Sequence, residues 1–143
     1  MTPEQITLVQ ESLRKVAPIA EAAAELFYAR LFELDPNLRS LFRKDMKVQG
    51  HELMAMIAAA VNGLGNLEQL LPLVRELGVR HAGYGVLRKH YDTVGAALLW
   101  TLDRGLGADM TAETRRAWAA AYGLLAAAMI DAAYGPETPA AQA

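Results

Sequence analysis

Arg80-His81-Ala82-Gly83-Tyr84-Gly85-Val86 is the stretch on which the reading of this chain turns. Upstream of it, Leu73, Leu77 and His81 recur at i, i+4 and i+8. On a helix these residues share one face, so the imidazole points with the apolar stripe towards the interior. Gly83 and Gly85 then mark a bend, and His90-Tyr91-Asp92-Thr93-Val94-Gly95 opens a new helical period. An inward-facing neutral imidazole needs a partner for each ring nitrogen. A metal plus a backbone carbonyl satisfies both, and so does an ordinary core histidine bonded to protein. Spacing alone leaves the two open.

Helical periodicity extends in both directions from this stretch. Thr2-Pro3-Glu4-Gln5 is a capping box with proline at the first helical position, starting a helix that runs to about Val16. A second helix covers about Ile19 to Leu34, and Asp35-Pro36 caps a short third one reaching Phe42. Residues 43–46 are loop-like, and a long helix follows from about Lys47 to Leu64, broken at Gly65-Asn66. The segment Leu67 to Arg80 contains Pro72, so its regular part is expected to begin near that residue. A long helix spans about Arg88 to Leu106, and Thr111 opens a last one to about Tyr134. No stretch alternates like a strand. The expectation is an all-α domain over residues 1–134, with roughly six to seven helices around one core. Residues 135–143 (GPETPAAQA) are expected to form a disordered tail.

Composition narrows the chemistry. The 143 residues suffice for one domain with its own core. With no cysteine, a disulfide framework and thiolate ligands are excluded, leaving nitrogen and oxygen donors. A net charge of −2 lacks the basic field that nucleic acid or an anionic membrane requires. The N-terminal Met1-Thr2-Pro3-Glu4-Gln5 shows no secretory pattern. The most apolar run, Ala117 to Ile130, falls short of the roughly 20 residues that cross a bilayer. A cytoplasmic protein without nucleic-acid or membrane partners is expected. No Ser/His/Asp order, glycine-rich phosphate loop or H-E-x-x-H occurs, so hydrolase and nucleotide chemistry find little support.

Other candidate residues are few. Gln49, Leu53, Met56-Ile57 and Ala60 form a second interior stripe, headed by a glutamine whose amide must find partners or sit half-solvated at a rim. Tyr28 lies among Ala24, Phe27, Leu31 and Phe32; a buried tyrosine in such a setting commonly ties its hydroxyl to backbone. His51 is rotated away from the Gln49 stripe, and His90 reads as a surface or capping residue.

Taken together, these pieces resemble the bacterial single-domain globins and the globin domain of flavohaemoglobins, over about residues 4–134. The resemblance is carried by Leu26-Phe27-Tyr28-Ala29-Arg30-Leu31-Phe32, by Pro36-Asn37-Leu38-Arg39-Ser40-Leu41-Phe42 and by the Gln49…Leu53 pair. Above all it is carried by the His81 stretch, where a histidine, a glycine-containing bend and a Tyr-x-x-Val-Gly helix start coincide. Trp118…Tyr122-Gly123 adds to it.

The resemblance implies a globin fold holding haem b (iron protoporphyrin IX), with His81 as the proximal iron ligand. It implies that Phe42 packs on the haem face, that Gln49 and Leu53 line the distal pocket, and that the Tyr28 hydroxyl points at the sixth coordination site. Val86, Tyr91 and Val94 would contact the macrocycle or the histidine, and Lys47 and Arg80 are candidates to meet the propionates. The ligands implied are dioxygen, nitric oxide and carbon monoxide, with tight oxygen binding. An alternative is nitric oxide dioxygenation with an external reductase, since no flavin or nicotinamide segment is present in the sequence. A further alternative is a haem-based sensor or a haem-free helical interaction module. One departure stands out: Ala133 occupies the position where flavohaemoglobins carry a glutamate that lends the proximal histidine anionic character.

Overall fold

The computed structural model describes residues 1–135, so the expected tail lies, apart from Gly135, outside the described residues. Helix α1 (Pro3–Val16) begins where the capping box requires: the Thr2 hydroxyl accepts from the Gln5 amide, and the Gln5 side chain accepts from the Thr2 amide. A 3₁₀ turn at Ala17–Ile19 leads into α2 (Ala20–Leu34), and a second, Pro36–Leu41, is capped by Asp35. Asp45 caps α3 (Met46–Asn62) by accepting from the Lys47 and Val48 amides. Helices α4 (Leu67–Gly83), α5 (His90–Leu106) and α6 (Ala112–Tyr134) complete the chain, with Thr111 capping the last. The described residues contain no strand.

One expectation about the element boundaries needs correction. Helix α4 starts five residues before Pro72 rather than at it. The proline removes one amide donor, but Leu70 is buried and Leu67 packs against the core, and this burial holds the first turns in place. Helix α6 is 23 residues, longer than its most apolar run, with a mean hydropathy of 1.3 over its best window. By length and composition alone it could cross a membrane. In the fold it is instead the element on which α1, α4 and α5 pack.

Helices α4 and α6 meet almost backbone to backbone. A Cβ added at Gly78 would stand 2.4 Å from the Met129 carbonyl oxygen, so only glycine permits the contact. Helices α2 and α3 cross closely at Ala24 and Gly50. The main core, built on Val9, Leu13, Val16, Leu64, Val74 and Trp118, fills the space between α1, α3, α4, α5 and α6. A second cluster gathers Phe27, Tyr28, Leu31, Leu38 and Ala97, with Phe32, Leu41, Phe42, Leu53 and Val94 half-buried around it. At the seam between the two lies an apolar void of about 20 Å³, bordered by Phe27, Leu53 and Trp118. It has room for one water-sized particle, but the hydroxyl of Thr101, which lines it, already donates to the Ala97 carbonyl.

Candidate functional site

His81 stands in the last turn of α4, half-buried. Its Nδ1 lies 2.8 Å from the Leu77 carbonyl oxygen. A carbonyl only accepts, so Nδ1 carries the proton and Nε2 keeps its lone pair. Burial pushes the imidazole pKa below its ordinary 6.5, and the bond to Leu77 opposes that only in part. The ring is therefore neutral at neutral pH and equipped to ligate a metal through Nε2. The expected Leu73–Leu77–His81 stripe is real but is not the helix-packing face. Leu70, Val74 and Gly78 are the buried positions of α4, Gly78 lying against α6, whereas Leu73 is 65% exposed. This apolar flank, ending in a neutral imidazole, is thus only partly covered, with Leu77 and His81 half-buried.

The bend after His81 is fixed by backbone bonds. Val86 N–H donates to the His81 carbonyl at 3.0 Å, and Gly85 takes φ +99°, a left-handed conformation that favours glycine. A Cβ at Gly85 would stand 3.2 Å from Leu41, so this bend touches the second cluster directly. Leu87 N–H donates to His90 Nδ1 at 2.9 Å, giving His90 the capping role expected of it. The Tyr134 hydroxyl donates to the Val86 carbonyl, and the Arg88 guanidinium donates to the Gly135 carbonyl at 3.2 Å. The last turn of α6 therefore holds the bend from outside.

Across the second cluster, α2 and α3 supply the other candidates. The Tyr28 ring meets Phe42 edge-on at 5.2 Å and stacks with Phe32 at 6.0 Å. Its hydroxyl donates to the backbone carbonyl of Gln49 at 3.3 Å. Burial, and the Glu52 carboxylate after it, push the Tyr28 pKa up to about 12, so it stays a proton donor at neutral pH. Tyr28, Phe42, Leu53 and Val94 thus come together, with Gln49 half-buried beside Tyr28. Tyr91 is 7% exposed, and its hydroxyl is buried without a partner. Lys47 pairs with Glu21 at 3.5 Å and Arg80 with Glu76 at 2.6 Å, both exposed.

Some residues of the site were not foreseen. Lys44 Nζ donates to both Glu52 carboxylate oxygens, at 2.8 and 3.1 Å, tying the loop before α3 to a residue adjacent to Leu53. Nothing in an eight-residue separation announces this pair. Tyr84 places its exposed ring 6.4 Å from His81. Gly50 did carry a signal, since a lone glycine inside a helical pattern marks a close approach.

With this geometry established, comparison with known proteins gives one answer. The globin family model matches residues 25–129. The chain is 35% identical over 133 residues to a flavohemoprotein of Bordetella parapertussis, covering 91% of this chain and 33% of that one. It is 29% identical over 127 residues to a flavohemoprotein of Bacillus subtilis, covering 84% and 32%. It spans about a third of the length of the curated relatives it matches. Among solved structures, a bacterial globin from Campylobacter jejuni superposes with a TM-score of 0.79 at 27% identity, covering 92% of this chain and 96% of that one. A carbene transferase engineered from a Rhodothermus marinus protein, described as a candidate nitric oxide dioxygenase, gives 0.78 at 29% identity, covering 88% of each. The chain belongs to the globin family, and its all-α architecture is the globin fold.

Proposed function

We propose that the chain is a haem b protein that reversibly binds dioxygen and other diatomic ligands, with His81 holding the iron. The observation that carries this is the His81 imidazole, neutral, locked at Nδ1 by Leu77 and free at Nε2, beside a partly covered apolar flank. Iron in the porphyrin would supply reversible coordination of the gas. Phe42, Leu53, Val86, Tyr91 and Val94 would offer the macrocycle an apolar and aromatic setting, while Arg80, Lys47 and the unforeseen Lys44 are the cations for its carboxylates. The Tyr28 hydroxyl and Gln49 amide are the donors for a ligand that gathers negative charge. Each such bond is worth about 1–3 kcal/mol when the acceptor is charged and desolvated, which supports tight oxygen binding. A cytoplasmic setting, consistent with the cysteine-free composition, belongs to the same proposal.

The test is the ultraviolet–visible spectrum of the protein supplied with haemin, beside that of His81→Ala. A haem spectrum that His81→Ala loses or alters supports the reading; a protein that stays colourless overturns it. Tyr28→Phe is expected to raise the oxygen dissociation rate by about tenfold to a hundredfold, and an unchanged rate removes the tight-binding clause.

The Rhodothermus marinus neighbour favours a second reading, nitric oxide dioxygenation. Nitric oxide, dioxygen and one electron from an external reductase would give nitrate. Against sustained turnover, His81 is bonded to a neutral carbonyl rather than a carboxylate, and position 133 offers only a methyl group. Repeated consumption of nitric oxide with a supplied reductant would select this reading; a single stoichiometric round would select simple binding.

A further inference from the structure

A groove of about 490 Å³ opens between α2 and α3, and neither the fold nor the ligand set discussed so far accounts for it. We propose that this groove is the access route by which an apolar diatomic gas reaches the site, with Tyr28 as the partition between groove and site. The inference rests on the haem reading above.

Tyr28 is common to both spaces: it lines the groove, and it is part of the aromatic cluster with Phe42, Leu53 and Val94. The groove exists because of small side chains. Helices α2 and α3 approach closely at Ala24 and Gly50, where a Cβ on the glycine would stand 3.0 Å from that of Ala24. Beside this crossing Ala29 leaves its part of the wall vacant, and Phe32 and Met46 complete an apolar floor, while the exposed Glu21, Glu25, Arg39, Lys47 and His51 put charged and polar groups around its rim. The floor costs a neutral gas little to enter, and the charges at the rim do not bar a molecule that carries none.

Both ends of the route are weakly held. At the rim, Lys47 and Glu21 pair at 3.5 Å with both side chains more than half exposed, a contact of small strength. At the partition, the Tyr28 hydroxyl reaches the Gln49 carbonyl at 3.3 Å, long beside the 2.6 Å bond from Tyr122 to the Tyr91 carbonyl. The opposite side, past Tyr84, carries a different set of contacts. There Lys44 is bonded to both oxygens of Glu52, and Leu41 presses on the Gly85 bend.

The test uses the haem-loaded protein and carbon monoxide. Ala29→Phe fills the groove from an exposed position on α2, and Met46→Trp fills it from the facing wall. Ala119→Phe makes the first exchange at an exposed position of α6 outside the groove. After flash photolysis, both plugs are expected to slow bimolecular association about tenfold and to raise the fraction that rebinds without escaping, while Ala119→Phe keeps the parental rate. In the haem-free protein, xenon should shift the Met46 methyl resonance, and should fail to do so in Ala29→Phe. Parental association rates in both plugs, equal slowing in Ala119→Phe, or no xenon shift in the parent would each overturn the proposal. Absence of a haem spectrum in the parent would instead sink the underlying reading, and is seen before any kinetics are run.

Discussion

The two halves of the molecule are finished to different degrees. In the half built on α1 and α6, Val9 and Val16 are sealed from solvent, and the Trp118 indole N–H donates to the Ser12 hydroxyl at 2.8 Å. That hydroxyl in turn donates to the Leu8 carbonyl. In the half built on α2, α3 and the end of α4, Leu53, Leu77, Val86 and Val94 stay half-covered, the Tyr91 hydroxyl has no acceptor and His81 keeps a lone pair unused. Closed packing with paired polar groups maintains the fold. Incomplete packing around unpaired donors and acceptors suits the binding role proposed for this half.

Substitutions can test that contrast, and the largest effect belongs to the closed half. Gly78→Ala forces a methyl into the Met129 backbone, and a loss of about 3 kcal/mol is expected by denaturant unfolding. Gly83→Ala on the same helix meets nothing within 4 Å, and about 0.5–1 kcal/mol of stabilisation is expected there. Next comes Ser12→Ala, which strands the buried Trp118 N–H and should cost about 1–3 kcal/mol.

In the open half the sign reverses. Tyr91→Phe removes a buried hydroxyl that has no acceptor, so the haem-free protein should gain up to about 1 kcal/mol. A loss there as large as that of Ser12→Ala would erase the distinction between the halves.

The subtlest test is titration. The folded pKa of His81 is depressed, so below about pH 6.5 the unfolded chain binds a proton the folded chain resists, and stability falls as pH falls through that window. Melting curves of the haem-free protein should show this slope, and His81→Gln should flatten it.

Much of this was legible in the sequence because it is local. The capping box at Thr2, the Asp35-Pro36 start and Thr111 each act within one helical turn, and each begins its element where expected. Pro72 misled because the burial that overrides it comes from Leu70 meeting distant helices. His81 was recognisable as a candidate, but the Leu77 carbonyl that sets its tautomer is a matter of side-chain rotamer. The Tyr28 bond to the Gln49 backbone, the Lys44–Glu52 pair and the groove beside Gly50 arise only when helices cross, and no period in the chain encodes a crossing.

The tether between Tyr134 and Val86 has a mechanical consequence. Val86 grips the His81 carbonyl through its amide and is gripped by Tyr134 through its own carbonyl. Whatever shifts the His81 backbone along the axis of α4 must therefore stretch one of these two links or tug the final turn of α6. A spectroscopic label near the end of that helix would register strain at the histidine without touching the pocket.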